Sequence, residues 1–284
     1  MLGKVTFGFL FLLLIWGNLV AGLKAGLACP DWPLCYGQIV PPFRWDIFME
    51  HTHRVIGAVF SVLFFIYGFK TYKKYSGNYK LIPIITVLLL IIQIVLGGIV
   101  VLKKLPVDLT TYHFANAMVI FSLVLYQVYF DGKNRKPAIN FNVISGLFLL
   151  LSILIIVQMV LGAYVRHSGA GLACPDFPTC LGYLIPPNLS RTVLTHFSHR
   201  ILGYTLFLIF LLLLIISRSI NNLKKADKNI ILAFVFIVVQ IILGVFVVKT
   251  KLTFYFTAIH LGVALIILSI TLVTWFKYSN KNYN

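Results

Sequence analysis

Four histidines recur in pairs along this chain, His53 and His113 in its first half and His199 and His260 in its second. Each stands at or near the start of a long apolar run. The four runs enter from the same side, so the imidazoles share one depth. Two imidazoles projecting from two helices of a four-helix unit can grip a haem iron from both faces, because bundle cores place cofactors between facing helices. Zinc usually takes three or four protein ligands, and each half offers two. Copper held by two histidines and a third ligand is the other metal the pattern admits. The surrounding Phe, Leu, Ile and Val supply the broad apolar walls that a porphyrin needs. The spacing therefore predicts two haem-sized sites, His53 with His113 and His199 with His260.

One position near these sites breaks the symmetry. Glu50 is the only glutamate in the sequence, and it lies three residues before His53, which on a helix is nearly the same face. Its counterpart, three before His199, is His196. Two readings of Glu50 stand: an ion pair with Arg54 one turn on, or a reactive carboxylate beside an apolar cavity. Arg54 and Arg200 directly follow the proposed ligands. They either meet haem propionates as charge-assisted pairs or snorkel to the membrane interface. His51 falls on a different helix face from His53, and His167 reads as an interfacial residue at a helix end.

The elements that must position these groups follow from composition. The chain has 284 residues, 60% hydrophobic and 11% charged, far from the usage of soluble domains. Apolar runs at 4–23, 55–72, 81–102, 111–130, 143–165, 197–217, 230–248 and 254–276 are each long enough to cross a bilayer as a helix. The expectation is an all-α integral membrane protein with eight transmembrane helices. The first run counts as a helix rather than a cleaved leader, since a cysteine loop follows it instead of a small-residue cleavage site. Lys and Arg are richer on the side that holds both termini, as in Lys70, Lys73, Lys74 and Lys80, in Lys133, Arg135 and Lys136, and in Arg218, Lys224, Lys225 and Lys228. The positive-inside rule makes that side cytoplasmic. The net charge of +17 thus reflects topology, and membrane lipid rather than nucleic acid is the expected partner.

On the opposite, extracytoplasmic side two loops repeat one another, "ACPDWPLC" at 28–35 and "ACPDFPTC" at 173–180. Disulfides form and persist there, so Cys29 with Cys35 and Cys174 with Cys180 read as two local bridges. Free thiols are the alternative, and a metal site lacks further ligands nearby. The repeat extends beyond the loops. "HTHRVIG" (51–57) matches "FSHRILG" (197–203), and His113 matches His260. Each half holds four spans in the same sense, which predicts two pseudo-twofold related four-helix bundles, 1–135 and 136–284. Gln-x-x-Leu-Gly occurs at 93–97, 158–162 and 240–244. It reads as close helix packing with cross-helix hydrogen bonds from Gln93, Gln158 and Gln240, with a ligand-facing glutamine as the alternative.

Together, the "GLACPDWPLC" loop, the Glu50-x-x-His53-Arg54 helix start, the His199-Arg200 pair, and lone histidines opening helices four and eight resemble the haem A synthase family of bacteria and mitochondria. The resemblance runs through nearly the whole chain. One departure is local: the family often carries Thr-Gly-Ser/Ala-Gly before the first cysteine, where this sequence has Leu23-Lys24-Ala25-Gly26. The resemblance implies an oxidoreductase that converts the C8 methyl of haem O to a formyl group, giving haem A for terminal oxidases through successive O₂-dependent hydroxylations, the second followed by loss of water. It implies that His53 and His113 flank the substrate haem, that Glu50 is the carboxylate required there, and that His199 and His260 hold the iron of a prosthetic haem b. The cysteine pairs match the family's outer-loop pairs. A haem O synthase and an electron donor are the partners it suggests, and a homo-oligomer is compatible with it.

Two other functions compete on the residues alone. A dihaem electron carrier would place its haems near both membrane faces, whereas these sites share one face. A transporter would carry acids near the bilayer midplane, yet Asp31, Asp46, Asp108, Asp131, Asp176 and Asp227 all fall in loops or at helix ends.

Overall fold

The computed structural model describes residues 1–132 and 141–280, and it is helical throughout its long elements. Eight helices are long and apolar enough to cross a membrane: α1 (Leu2–Gly22), α2 (Trp45–Lys74), α3 (Leu81–Leu102), α4 (Val107–Gly132), α5 (Val143–His167), α6 (Arg191–Ile216), α7 (Asp227–Lys249) and α8 (Phe254–Tyr278). The all-helical membrane class expected from composition is therefore the class observed. The charged stretch Lys133, Arg135 and Lys136, and with it the expected boundary between 135 and 136, lies outside the described residues.

Helices α2 and α6 begin at Trp45 and Arg191, well before the apolar runs at 55 and 197. Their first turns carry Asp46, Glu50, His51 and Arg54, or Arg191, His196 and Arg200, so a hydropathy reading stops short of them. In consequence His53 and His199 do not open their helices but sit in the third turn.

The helices group into two compact units, one built from α1–α4 and the other from α5–α8. Within the first unit α1 packs on α2 and α4, and α3 packs on the same two, closing a four-membered ring. Within the second, α5, α6, α7 and α8 close the same kind of ring. In the first unit the half of the bundle away from the cysteine loop is filled by Phe60, Phe64, Tyr67, Phe121 and Phe130, all essentially without exposure. Near that end a buried amide ties three helices. The Thr71 hydroxyl donates to Gln127 Oε1 at 2.9 Å, and Gln127 Nε2 donates to the Thr86 hydroxyl at 3.1 Å. Such interhelical bonds stand in for the hydrophobic drive that lipid does not provide. The second unit fills the same half with Phe148, Phe210, Leu265, Leu268 and Phe276.

The cysteine loops cap the other ends, and each is ordered by its own chemistry. Both cysteine pairs are bridged, Cys29 to Cys35 and Cys174 to Cys180. Beyond each bridge the chain reverses through two residues of positive φ, Tyr36 (56°) with Gly37 (70°) and Leu181 (57°) with Gly182 (81°). This is the backbone of a two-residue hairpin turn. The aspartate of the Cys-Pro-Asp string supplies acceptors for it. Asp31 accepts the Tyr36 and Gly37 amides at 2.7 Å each, and Asp176 accepts those of Leu181 and Gly182 at 2.7 and 2.9 Å. An L-residue in the left-handed region is strained, and these bonds offset part of that strain.

Both carboxyls are held below their ordinary value of 3.8. The Gly37 amide is the largest cause at Asp31, and the Thr179 hydroxyl takes Asp176 to about 2. Because the folded values are depressed, the order these groups confer is complete above the unfolded value and fades as pH falls through the folded one. Amide exchange at residues 180–183 should thus stay protected from pH 6 down to about 4 and lose protection as pH falls toward about 2, with Asp176→Asn abolishing the dependence. Protection already lost at pH 5 would contradict this.

Candidate functional site

Each of the four predicted histidines lies against a glycine of the helix before it. A Cβ placed on Gly17 of α1 would come within 2.9 Å of His53 Cε1, and one on Gly97 of α3 within 3.2 Å of His113 Cε1. In the second unit Gly162 of α5 and Gly244 of α7 stand in the same relation to His199 and His260, at 2.9 and 3.3 Å. The glycine at the end of each Gln-x-x-Leu-Gly string is thus the seat of an imidazole. Small residues here admit a side chain from the next helix rather than only a close backbone.

All four Nδ1 atoms are buried and lack a hydrogen bond of good geometry. His53 and His113 are near enough to interact electrostatically, and so are His199 and His260. Among the described residues no three His, Cys, Asp or Glu side chains converge on a point where an ion could sit. The donors therefore come in twos. Two buried, glycine-seated imidazoles per bundle, carried on opposite helices, are a donor set that fits an iron porphyrin.

Glu50 is buried, with a relative exposure of 5%. Its one described partner is Arg54, whose Nε donates to Oε1 at 3.0 Å. The rest of the Arg54 fork reaches the cysteine loop. Nη1 donates to the carbonyls of Asp31 and Leu34 at 2.7 and 2.6 Å, and Nη2 donates to that of Cys29 at 3.0 Å. Arg200 repeats the clamp on the carbonyls of Asp176, Thr179 and Cys174, the last two at 2.7 and 2.6 Å. In the structure these donors fasten the disulfide loop to the helix that carries the histidine. Lysine cannot reproduce the fork. Arg200→Lys should therefore loosen the loop by about 2 kcal/mol, given hydrogen bonds to a charged group of that strength. The Cys174–Cys180 bridge should then yield to an external reductant roughly thirtyfold faster. An unchanged reduction rate, with Arg218→Lys as control, would remove the clamp assignment.

The units differ around this shared frame. His196, the counterpart of Glu50, is also buried, but its Nδ1 lies 3.0 Å from the Ala170 carbonyl. Trp32 of the first loop covers Gly98, where a Cβ would meet its ring at 2.7 Å. The second unit has Phe177 and Val245 at those positions, and Phe177 packs instead near Tyr204, with ring centroids 6.2 Å apart. Of the glutamines, Gln158 donates to the His199 carbonyl at 2.9 Å, a cross-helix bond of the kind expected. Gln93 instead points at an imidazole, 3.1 Å from His113 Nε2. The four seats and Asn116, which holds Gln93, are the participants that sequence reasoning missed. The seats were signalled by a constant interval, 97 to 113 and 244 to 260.

The profile of the COX15-CtaA family, described as cytochrome oxidase assembly protein, matches residues 42–272. Among curated relatives, the Heme A synthase of Halalkalibacterium halodurans is 30% identical over 91% of this chain and 89% of its own. The Heme A synthase of Alkalihalophilus pseudofirmus is 30% identical over 84% of each chain. That of Bacillus licheniformis is 28% identical over 91% of this chain and 89% of its own. With its eight spanning helices, its seated histidine pairs and a match over most of its length, the chain belongs to the COX15-CtaA family of cytochrome oxidase assembly proteins.

Proposed function

We propose that this protein is a haem A synthase, a membrane oxidoreductase that converts the C8 methyl of haem O to a formyl group and so supplies haem A for terminal oxidase assembly. The observation that carries the reading is the pairing of buried, glycine-seated imidazoles within each bundle, with a buried carboxylate about one helical turn before the first histidine of one pair only. In this reading His53 and His113 receive haem O as substrate, and His199 and His260 hold haem b as prosthetic group. Haem iron, when bound, supplies the O₂-dependent oxidising chemistry that no side chain possesses.

The remaining work falls to this chain's own residues. The seats orient the imidazoles, and the clamped loops and Trp32 cover the sites against water. Glu50 holds or moves a proton at its carboxylate. Loss of water from a carbon bearing two hydroxyls needs one proton removed and another delivered, which a single positioned carboxyl can do. Arg54 fixes where that carboxyl stands, so the two arginines serve the sites through the loops they hold. The termini lie on the cytoplasmic side, and the bridged loops lie outside the cell membrane, where disulfides persist. A haem O-forming enzyme and an electron donor are the partners this reading requires.

The test is to purify the protein from cells supplied with haem O and identify its extracted pigments by mass. Haem O, a hydroxylated form of it, or haem A alongside haem b is the expected result. Haem b alone, unchanged by the haem O supply, overturns the reading in favour of an electron carrier.

A further inference from the structure

The two bundles treat the second histidine of each pair differently. In the first unit Gln93 Nε2 lies 3.1 Å from His113 Nε2. An amide nitrogen has only protons to offer, so the imidazole nitrogen must be the acceptor and the ring must carry its own proton on Nδ1. The orientation of the amide is not arbitrary. Asn116 Nδ2 donates to Gln93 Oε1 at 2.8 Å and to the backbone carbonyl of Leu89 at 3.0 Å. The Leu89 carbonyl can only accept, so it fixes which end of Asn116 is the donor. Asn116 then fixes which end of Gln93 faces the histidine. Turning Gln93 over would set two amide nitrogens against each other. A backbone carbonyl thus dictates, through two side chains, that the lone pair of His113 Nε2 is occupied within the protein.

The second unit keeps the histidine and the glutamine but not the device. Gln240 stands twenty residues before His260, as Gln93 does before His113, while Val263 occupies the place of Asn116. Without that amide, Gln240 Oε1 is buried and has no hydrogen-bond partner, and among the described contacts no hydrogen bond joins the Gln240 side chain to the His260 ring.

We propose that Asn116 and Gln93 make ligation through His113 reversible, so that the first unit exchanges its haem while the second, lacking the pair, retains its own. This rests on the reading of the two pairs as haem sites. Iron at His113 has to take a lone pair that Gln93 already holds, whereas iron at His260 meets no such competitor. A site that must admit one haem and release another needs a ligand it can recover; a prosthetic site does not. Asn116 is a positioning residue in this scheme, since it acts only through Gln93.

Haem exchange tests this apart from catalysis. Protein reconstituted with ferric protoporphyrin IX is mixed with excess apomyoglobin, and haem loss is followed optically. His113→Ala and His260→Ala assign the phases and the bis-imidazole low-spin bands. Wild type should show a fast phase from the first unit and a slow one from the second. Asn116→Val, which copies the second unit, should slow the fast phase roughly five- to tenfold, the factor an ordinary net hydrogen bond corresponds to. Val263→Asn should speed the slow phase by a similar factor, and a fold defect would not produce this pair of opposite changes. Two phases that His113→Ala and His260→Ala identify, yet whose rates neither Asn116→Val nor Val263→Asn moves, overturn the proposal while leaving the haem sites standing. Wild-type protein that binds no porphyrin overturns the functional reading, and this inference with it.

Discussion

Replacing Glu50 by glutamine should stop or stall formyl production while the membrane fold and the haem of the second unit survive. Glutamine keeps the length of the side chain and an oxygen that can accept from Arg54 Nε, now at 3.0 Å. The three loop carbonyls continue to hold the rest of the guanidinium. What disappears is a group able to take up and return a proton, and positioned acid–base groups contribute about 10²–10⁴ in rate. We therefore expect haem A formation to fall by about a hundredfold or more, with haem O or its hydroxylated form accumulating on the protein. Mass analysis of extracted pigment from Glu50→Gln membranes reads this directly. Haem A made at the wild-type rate would end the catalytic assignment of Glu50 without disturbing the histidine pairs.

The second large effect concerns residues that carry no chemistry at all. Alanine at Gly17 or Gly162 would bring a methyl group to 2.9 Å from an imidazole carbon, closer than van der Waals contact allows. The ring is the movable partner, so it should swing away rather than the helices part. Overpacking of this kind costs about 1–3 kcal/mol, and the displaced ring no longer meets its partner across the bundle. Gly162→Ala should accordingly abolish the low-spin bis-histidine signal of the second unit, and Gly17→Ala that of the first, in protein that still inserts normally. The distances at Gly97 and Gly244 are 3.2 and 3.3 Å, so alanine there should weaken binding without eliminating it. Equal losses at all four seats would show that the steric account is wrong.

Much of this architecture could be read in the residues because lipid imposes a coarse grammar. Eight apolar runs became eight helices, since a spanning segment must satisfy its backbone internally. The cysteine pairs closed within their own loops. The histidine positions were visible as a repeat, but their depth was not: the polar first turns of α2 and α6 hide from a hydropathy reading. The loop contacts of Arg54 and Arg200 were hidden for a related reason. Backbone carbonyls have no signature in sequence, and it is loop carbonyls that these side chains bind. Asn116 escaped because a repeat draws the eye to what matches, and Asn116 matters by not matching Val263.

The arginine clamp has a consequence for how the two bundles can differ. Arg200 holds its loop through three carbonyls and needs nothing from the residue four positions before it, which is His196. Arg54 has the same redundancy, with Glu50 as an extra partner rather than a required one. The position one turn before each arginine therefore adds its own contact to the clamp, an ion pair at Glu50 and a hydrogen bond to the loop at His196. Its chemistry can differ between the units while each loop keeps its anchor.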